Sequence, residues 1–153
     1  MINGAVLGSP ISHSLSPVLH KAAFEFLGIE GTYSAIKVAS GALGKFIEMR
    51  SAEFDYLSLT MPLKEEVLGL GFEADALTQR IQSGNTLIKR GEQWSISSTD
   101  GSGFVAALGH AGITDIDSVL ILGAGGTARA VTGSLDSIAK NIHVLGRSSL
   151  RQE

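Results

Sequence analysis

The chain has 153 residues, a formal charge of −3, no cysteine, 44% hydrophobic and 18% charged residues, a globular balance with length for one good-sized core or two small ones. Without cysteine there are no disulfide staples or thiolate metal sites, and without a Lys/Arg run there is no electrostatic footprint for nucleic acid or an anionic membrane, so a small-molecule partner fits better. No basic n-region opens the chain and no apolar run reaches membrane-spanning length, which makes the cytoplasm the expected compartment.

Ile2 to Gly8 reads as a strand ending in a Gly-Ser-Pro turn. Ser16-Pro17 then starts a helix, Ser16 as N-cap and Pro17 at the first position, with an apolar stripe of Val18, Leu19, Ala22, Ala23, Phe26 and Leu27. Thr32 to Val38 is expected to be a strand, Ala42 to Arg50 a helix with Leu43, Phe46 and Ile47 inward, and Phe54 to Thr60 a further strand. Pro62 opens a short helix, and Glu73 to Ile81 reads as another. Asn85 to Lys89 and Gln93 to Ser97 form a hairpin through Arg90-Gly91-Glu92. A helical stripe of Phe104, Val105, Ala107 and Leu108 runs from Gly103 to Gly112. Thr114 to Asp117 is a polar break before the apolar run Ser118 to Leu122, read as a buried parallel strand. A Gly-rich turn, a helix over Thr127 to Ile138 and a strand over Asn141 to Leu145 complete a βαβ unit. The fold class is therefore α/β.

Gly123-Ala124-Gly125-Gly126-Thr127-Ala128 and Ala130 carry the spacing G-x-G-x-x-A between strand and helix, the context in which bare backbone admits a pyrophosphate to a positive helix end. A tight turn that merely packs helix on strand is the alternative. A unit for NAD would place Asp or Glu at the end of the second strand to bond the ribose 2′-OH. Gly146-Arg147-Ser148 stands there instead, and Arg147 with Ser148 could hold a 2′-phosphate, which favours NADP; an ordinary solvated loop cation is the competing reading of Arg147. His13 reads as structural, His20, His110 and His143 show no metal-like spacing, no metal is expected, and Trp94 is assigned to packing.

Five strings in this order resemble shikimate dehydrogenases: Gly8-Ser9-Pro10-Ile11-Ser12-His13-Ser14-Leu15-Ser16-Pro17, Thr60-Met61-Pro62-Leu63-Lys64, Asn85-Thr86-Leu87, Thr99-Asp100-Gly101 and the glycine-rich turn. The resemblance spans the chain. It implies a three-layer α/β shikimate-binding domain over 1–101, followed over 102–153 by the first βαβ unit of a Rossmann-type NADP-binding domain. It also implies NADPH-dependent reduction of 3-dehydroshikimate to shikimate in aromatic amino-acid biosynthesis. Position by position, it gives Ser14 and Ser16 to the substrate carboxylate, Thr60 and Asn85 to substrate hydroxyls or carboxylate, and Lys64 with Asp100 to catalysis. The cofactor falls to Gly123, Ala124, Gly125, Gly126, Thr127, Ala128, Arg147 and Ser148.

Each assignment has a plainer competitor. Ser16 suits a helix N-cap whereas Ser14 has no comparable local duty, Asp100 suits a cap or Asx-turn, and Thr60 and Asn85 suit strand-end and turn positions. Lys64 opposes the macrodipole in the first turn of its helix, so helix stability alone would not select it; a surface lysine is the bland reading. The sequence departs from the family pattern at Ser58 and Ser98, each in place of the usual Asn, at Ser83-Gly84 in place of Ala-Val, and at Gly146-Arg147-Ser148 in place of Asn-Arg-Thr.

Only one βαβ follows the Gly-rich turn, whereas a full dinucleotide domain uses two βαβαβ halves. The resemblance implies that the remainder completes the cofactor site, supplies a substrate-contacting glutamine and returns a final helix to the substrate domain. Ser149 to Gln152 reads as a capping box opening a new helix. A polypeptide of this length is expected to reduce 3-dehydroshikimate poorly or not at all, and its uncovered strands favour self-association, a homodimer included, or disorder of the tail. A silent shikimate-binding or interaction module and a quinate-using enzyme are the alternative functions.

Overall fold

The computed structural model describes residues 1–147. Ser148 and the capping box at Ser149 to Gln152 lie outside the described residues. The chain divides into two compact units, one of Met1–Asp75 with Gly84–Ser97, the other of Ala76–Ser83 with Ser98–Glu153.

The first unit is built on β1 (Ile2–Gly8), β2 (Gly31–Lys37), β3 (Tyr56–Leu59), β4 (Glu73–Ala74), β5 (Thr86–Arg90) and β6 (Gln93–Ser97), with strand order β2-β1-β3-β5-β6-β4. β1 runs parallel to β2 and β3, while β3 and β5, and β5 and β6, pair antiparallel. Alternation sends Ala5, Leu7, Leu57 and Leu59 to one face, where they meet Leu43 and Ile47 of α2 (Leu43–Arg50) and Leu63 of α3 (Leu63–Glu66) in a common buried core. Trp94 belongs to that core. Glu73 and Ala74, expected to be helical, pair with Ser95 and Ile96 as β4, and the helix α4 (Ala76–Ile81) begins only beyond them. Sheet pairing outweighs the helical pattern there because the neighbouring strand offers a row of backbone partners.

The opposite face carries α1 (Ser16–Leu27), which departs from the sequence reading in two ways. Leu15, not Ser16, is its N-cap, and no side chain caps it; Ser16 and Pro17 are already helical. Ser14 Oγ accepts the Ser16 N–H at 3.3 Å, so the local duty expected of Ser16 falls partly to Ser14. The apolar stripe also points away from the sheet: Val18 is 66% exposed, Leu19 67% and Phe26 90%. The helix is apolar on more than one side, and it is the His20–Phe24 side that meets the aromatic rings of β2 and β3.

The second unit contains α4 (Ala76–Ile81), α5 (Asp100–His110), β7 (Ile116–Leu122), α6 (Gly126–Leu135) and β8 (Ala139–Leu145), with β7 and β8 parallel. Helices α5 and α6 cross closely at Gly101, where a Cβ would collide with Ala130 O and Ser134 Oγ. β7 is not buried on both faces as its continuous apolar run suggested: Leu120 and Leu122 are exposed, while Val119 and Ile121 are half-buried.

Candidate functional site

Three chain segments reach the same end of the first sheet. β1 and β3 are parallel and both finish there, Leu7 opposite Leu59, while antiparallel β5 starts there with Thr86 opposite Ser58. The carboxyl ends of parallel strands are where open α/β sheets offer a crevice to ligands.

Backbone bonds fasten these ends together. Thr60 N–H donates to Leu7 O at 2.9 Å, Ser9 N–H to Met61 O at 3.0 Å and Leu59 N–H to Asn85 O at 2.7 Å. Gly8 makes the approach of the first two loops possible, since a Cβ there would strike Thr60 Cγ2 and come within 3.0 Å of Met61 O. The Ser9–Pro10 and Met61–Pro62 peptide bonds in these two loops are both cis. The loop after Gly8 carries Ser14 and leads directly into α1 at Ser16, and both serines are half-buried.

Lys64 sits in α3, one turn beyond Thr60, and its backbone carbonyl accepts the Gly84 N–H at 2.8 Å, next to Asn85. Leu63 and Val67, both fully buried, pin the two sides of this short helix to the core. Glu66 reaches from α3 to the start of α2, its carboxylate accepting Gly41 N–H at 2.8 Å and Leu43 N–H at 2.9 Å. It supplies from a distance the cap that α2 lacks locally. The Asn85 side-chain oxygen accepts Thr86 Oγ1 at 2.9 Å, which orients its carboxamide. Thr60, Lys64 and Asn85 are each half-buried. The first unit thus brings Thr60, Lys64, Asn85 and the loop bearing Ser14 and Ser16 to one sheet edge, with hydroxyl, amide and ammonium donors and no carboxylate among those five.

Asp100 belongs to the second unit, three residues after β6 ends. It is the first residue of α5, with Thr99 at the cap position and no side-chain cap bond; its Oδ2 accepts Thr127 Oγ1 at 3.5 Å. In the same unit, Gly123 to Ala128 span the end of β7 and the start of α6. Gly123 has φ +122°, a conformation that suits glycine, and its N–H donates to Leu145 O at 2.8 Å. A Cβ at Gly123 or Gly125 would meet nothing within 4 Å, so neither glycine is explained by packing against a neighbour. Because β7 and β8 are parallel with Leu122 opposite Leu145, exposed Arg147 leaves its strand beside the glycine-rich turn. The geometry fits a dinucleotide: bare backbone at a helix start, with a cation at the adjoining strand end. Ser148 lies outside the described residues. Among those described, no group of three or more His, Asp or Glu could hold a metal ion.

Sequence reasoning missed one cluster on the α1 face of the sheet. Tyr56 Oη lies 2.8 Å from His20 Nδ1, the His20 ring stacks on Tyr33 at 3.7 Å between centroids, and Tyr33 Oη donates to Ser58 Oγ at 2.8 Å. Burial lowers the His20 pKa, favouring the neutral ring. With its proton on Nε2, Tyr56 O–H donates to Nδ1. Burial, with Tyr33 nearby as the smaller cause, pushes the Tyr56 phenol up to about 12.

Residues 6–87 match the family model of the shikimate dehydrogenase substrate binding domain. The chain is 40% identical over 152 residues to a shikimate dehydrogenase (NADP(+)) of Thermus thermophilus, covering 99% of this chain and 57% of the relative. It is 39% identical over 150 residues to one of Methanococcoides burtonii, covering 96% and 55% respectively. By superposition it resembles the Thermus thermophilus shikimate 5-dehydrogenase solved with NADP(H) and shikimate, at a TM-score of 0.91 and 37% identity over 99% of this chain and 58% of that one. The Mycobacterium tuberculosis shikimate dehydrogenase superposes at 0.85 with 35% identity, covering 99% of this chain and 57% of that one. The chain thus spans somewhat more than half the length of the relatives it matches.

Proposed function

The chain belongs to the shikimate dehydrogenase family through that family's substrate-binding domain, and from that premise we propose that it carries the shikimate site of an NADP-dependent shikimate dehydrogenase. The reaction is the reduction of 3-dehydroshikimate to shikimate in aromatic amino-acid biosynthesis, in the cytoplasm. The substrate domain is assigned to residues 1–101 and the opening of the nucleotide domain to 102–153, whereas Ala76–Ser83 and the segment from Ser98 onward fall in the second compact unit. The observation that carries this reading is the convergence of the Ser14–Ser16 loop, Thr60, Lys64 and Asn85 at one end of the β1-β3-β5 sheet.

Ser14 and Ser16 hold the substrate carboxylate with hydroxyl donors, and the start of α1 favours the anion. Thr60 and Asn85 bond substrate hydroxyls or the carboxylate, as a polyhydroxylated ligand requires several fixed polar partners. Lys64 supplies the proton to the carbonyl oxygen as that ketone becomes an alcohol, and the family resemblance assigns Asp100 to catalysis with it. When bound, NADPH supplies the hydride to the carbonyl carbon and is oxidised to NADP⁺. The backbone of Gly123 to Ala128 would hold its pyrophosphate, and Arg147 and Ser148 would hold its 2′-phosphate.

The test is NADPH oxidation driven by 3-dehydroshikimate, in a form continued to the length of the matching relatives. Turnover is expected there, and Lys64→Ala should reduce it at least a hundredfold with folding intact. Shikimate binding without turnover in that form would favour a silent binding module, and turnover preferring quinate would move the substrate assignment.

A further inference from the structure

Helix α1 begins at Ser16 and continues directly from the loop that bears Ser14, the two serines assigned to the substrate carboxylate, yet it has no buried residue of its own. Its outward side leaves Leu15, Val18, Leu19 and Phe26 exposed. Its hold on the sheet is the opposite side, where His20 stacks on Tyr33 of β2 and meets the Tyr56 hydroxyl of β3. A helix rises about 1.5 Å per residue, so His20 lies roughly 6 Å along the axis from Ser16, and any shift of one is delivered to the other through a stiff backbone. The same cluster reaches Ser58 through Tyr33, and Ser58 shares a face of the strand with Thr60 two residues on. Gly4 on β1 makes the arrangement possible: a Cβ there would come within 2.5 Å of Tyr56 Cε1 and 2.8 Å of Tyr33 Cδ2. One hydrogen-bonded group therefore joins the carboxylate-binding end of α1 to the strand that leads to Thr60.

We propose that His20 and Tyr56 are positioning residues for substrate recognition: their hydrogen bond fixes the register of α1 on the sheet and so sets Ser14 and Ser16 against the substrate carboxylate. The inference rests on the reading of Ser14 and Ser16 given above. Its consequence is selective, because it concerns the carboxylate and not the ring hydroxyls. Tyr33, stacked on His20 and bonded to Ser58, completes the anchor, and Ser58 takes part because a hydroxyl at that position accepts the Tyr33 proton.

The experiment titrates the 153-residue chain with shikimate and with methyl shikimate, which keeps the ring hydroxyls and masks the carboxylate. Wild type is compared with Ser14→Ala, Tyr56→Phe, His20→Leu and His20→Asn. Losing one hydrogen bond's orienting effect should weaken shikimate binding about three- to tenfold in Tyr56→Phe and His20→Leu. Methyl shikimate should change less than about twofold. His20→Asn, which can place an acceptor near the Nδ1 position, should recover part of the loss. Amide spectra of the β1, β3 and β5 residues establish that each variant is folded. For each variant that passes, the effect is measured again in the Ser14→Ala background, where the proposal requires the two losses to be non-additive. Equal weakening for both ligands, or none for shikimate while Ser14→Ala weakens it, overturns the positioning role and leaves the site reading standing. If wild type does not bind shikimate, or Ser14→Ala changes nothing, the site reading itself fails and takes the inference with it.

Discussion

Substituting Gly4 by alanine tests the packing on which α1 depends. The added methyl would lie within 2.5 Å of Tyr56 Cε1 and 2.8 Å of Tyr33 Cδ2, so at least one ring must move. Overpacking of this kind costs about 1–3 kcal/mol. Moving the rings endangers the Tyr56–His20 and Tyr33–Ser58 bonds, both 2.8 Å, each worth about 0.5–1.5 kcal/mol net. Against this, replacing glycine lowers the entropy of the unfolded chain and returns about 0.4–1 kcal/mol. The net expectation is a destabilisation of about 3 kcal/mol for the first unit, obtained by combining these contributions. Urea unfolding followed by the β1 and β3 amides measures it. Tyr56→Leu removes the principal obstacle, so Gly4→Ala should cost less in that background, and the two changes should couple. A cost below about 0.5 kcal/mol in the wild-type background, within the range of ordinary surface substitutions, would refute the argument that glycine is needed for ring packing.

Leu57→Ala empties a fully buried position between the central strands and should cost about 2–5 kcal/mol in urea unfolding. Glu66→Gln keeps an acceptor for one of the Gly41 and Leu43 amides but not both, so hydrogen exchange should accelerate at those two amides before it does in β1. Tyr56 should titrate by ultraviolet absorbance near pH 12 instead of the usual phenol value of 10.0. Because the folded state raises this pKa, the associated stability is present below pH 10 and lost as pH rises from 10 towards 12. For His20 the sign is reversed: its folded pKa is lowered from 6.5, so the linked stability is present above 6.5 and lost as pH falls through the folded value, and α1 amides should lose exchange protection first. The exposed Leu120, Leu122 and Leu145 on the β7-β8 pair, with Val18 and Phe26 on α1, should drive concentration-dependent self-association seen by sedimentation, weakened by Leu120→Lys.

The strand-helix alternation was legible because each segment carries its own signal: apolar β1 before Gly8, the Pro62 start of α3, the Gly91 turn between β5 and β6, and the glycine-rich turn between β7 and α6. The loops at the strand ends were legible for the same reason, and their gathering at one sheet edge follows from parallel pairing of β1 with β3. What the sequence concealed depends on partners far along the chain. Nothing near Glu73 reveals that Ser95 will pair with it, and nothing in α1 reveals which of its apolar sides faces the sheet. The shift of the N-cap from Ser16 to Leu15, with Ser14 Oγ accepting the Ser16 N–H, hangs on a loop geometry that residue type alone does not determine. The aromatic cluster needs the register that sets Gly4 opposite both Tyr33 and Tyr56, and no single segment records that register.

The central claim, that the first unit holds a shikimate site at the β1-β3-β5 edge, is tested most directly by following backbone amides of the isotopically labelled chain during titration with shikimate. The account predicts saturable shifts concentrated at Ser14, Ser16, Thr60, Lys64 and Asn85, and their loss in Lys64→Ala combined with Ser14→Ala. Absence of shifts at millimolar shikimate, or shifts centred on other residues, would contradict it.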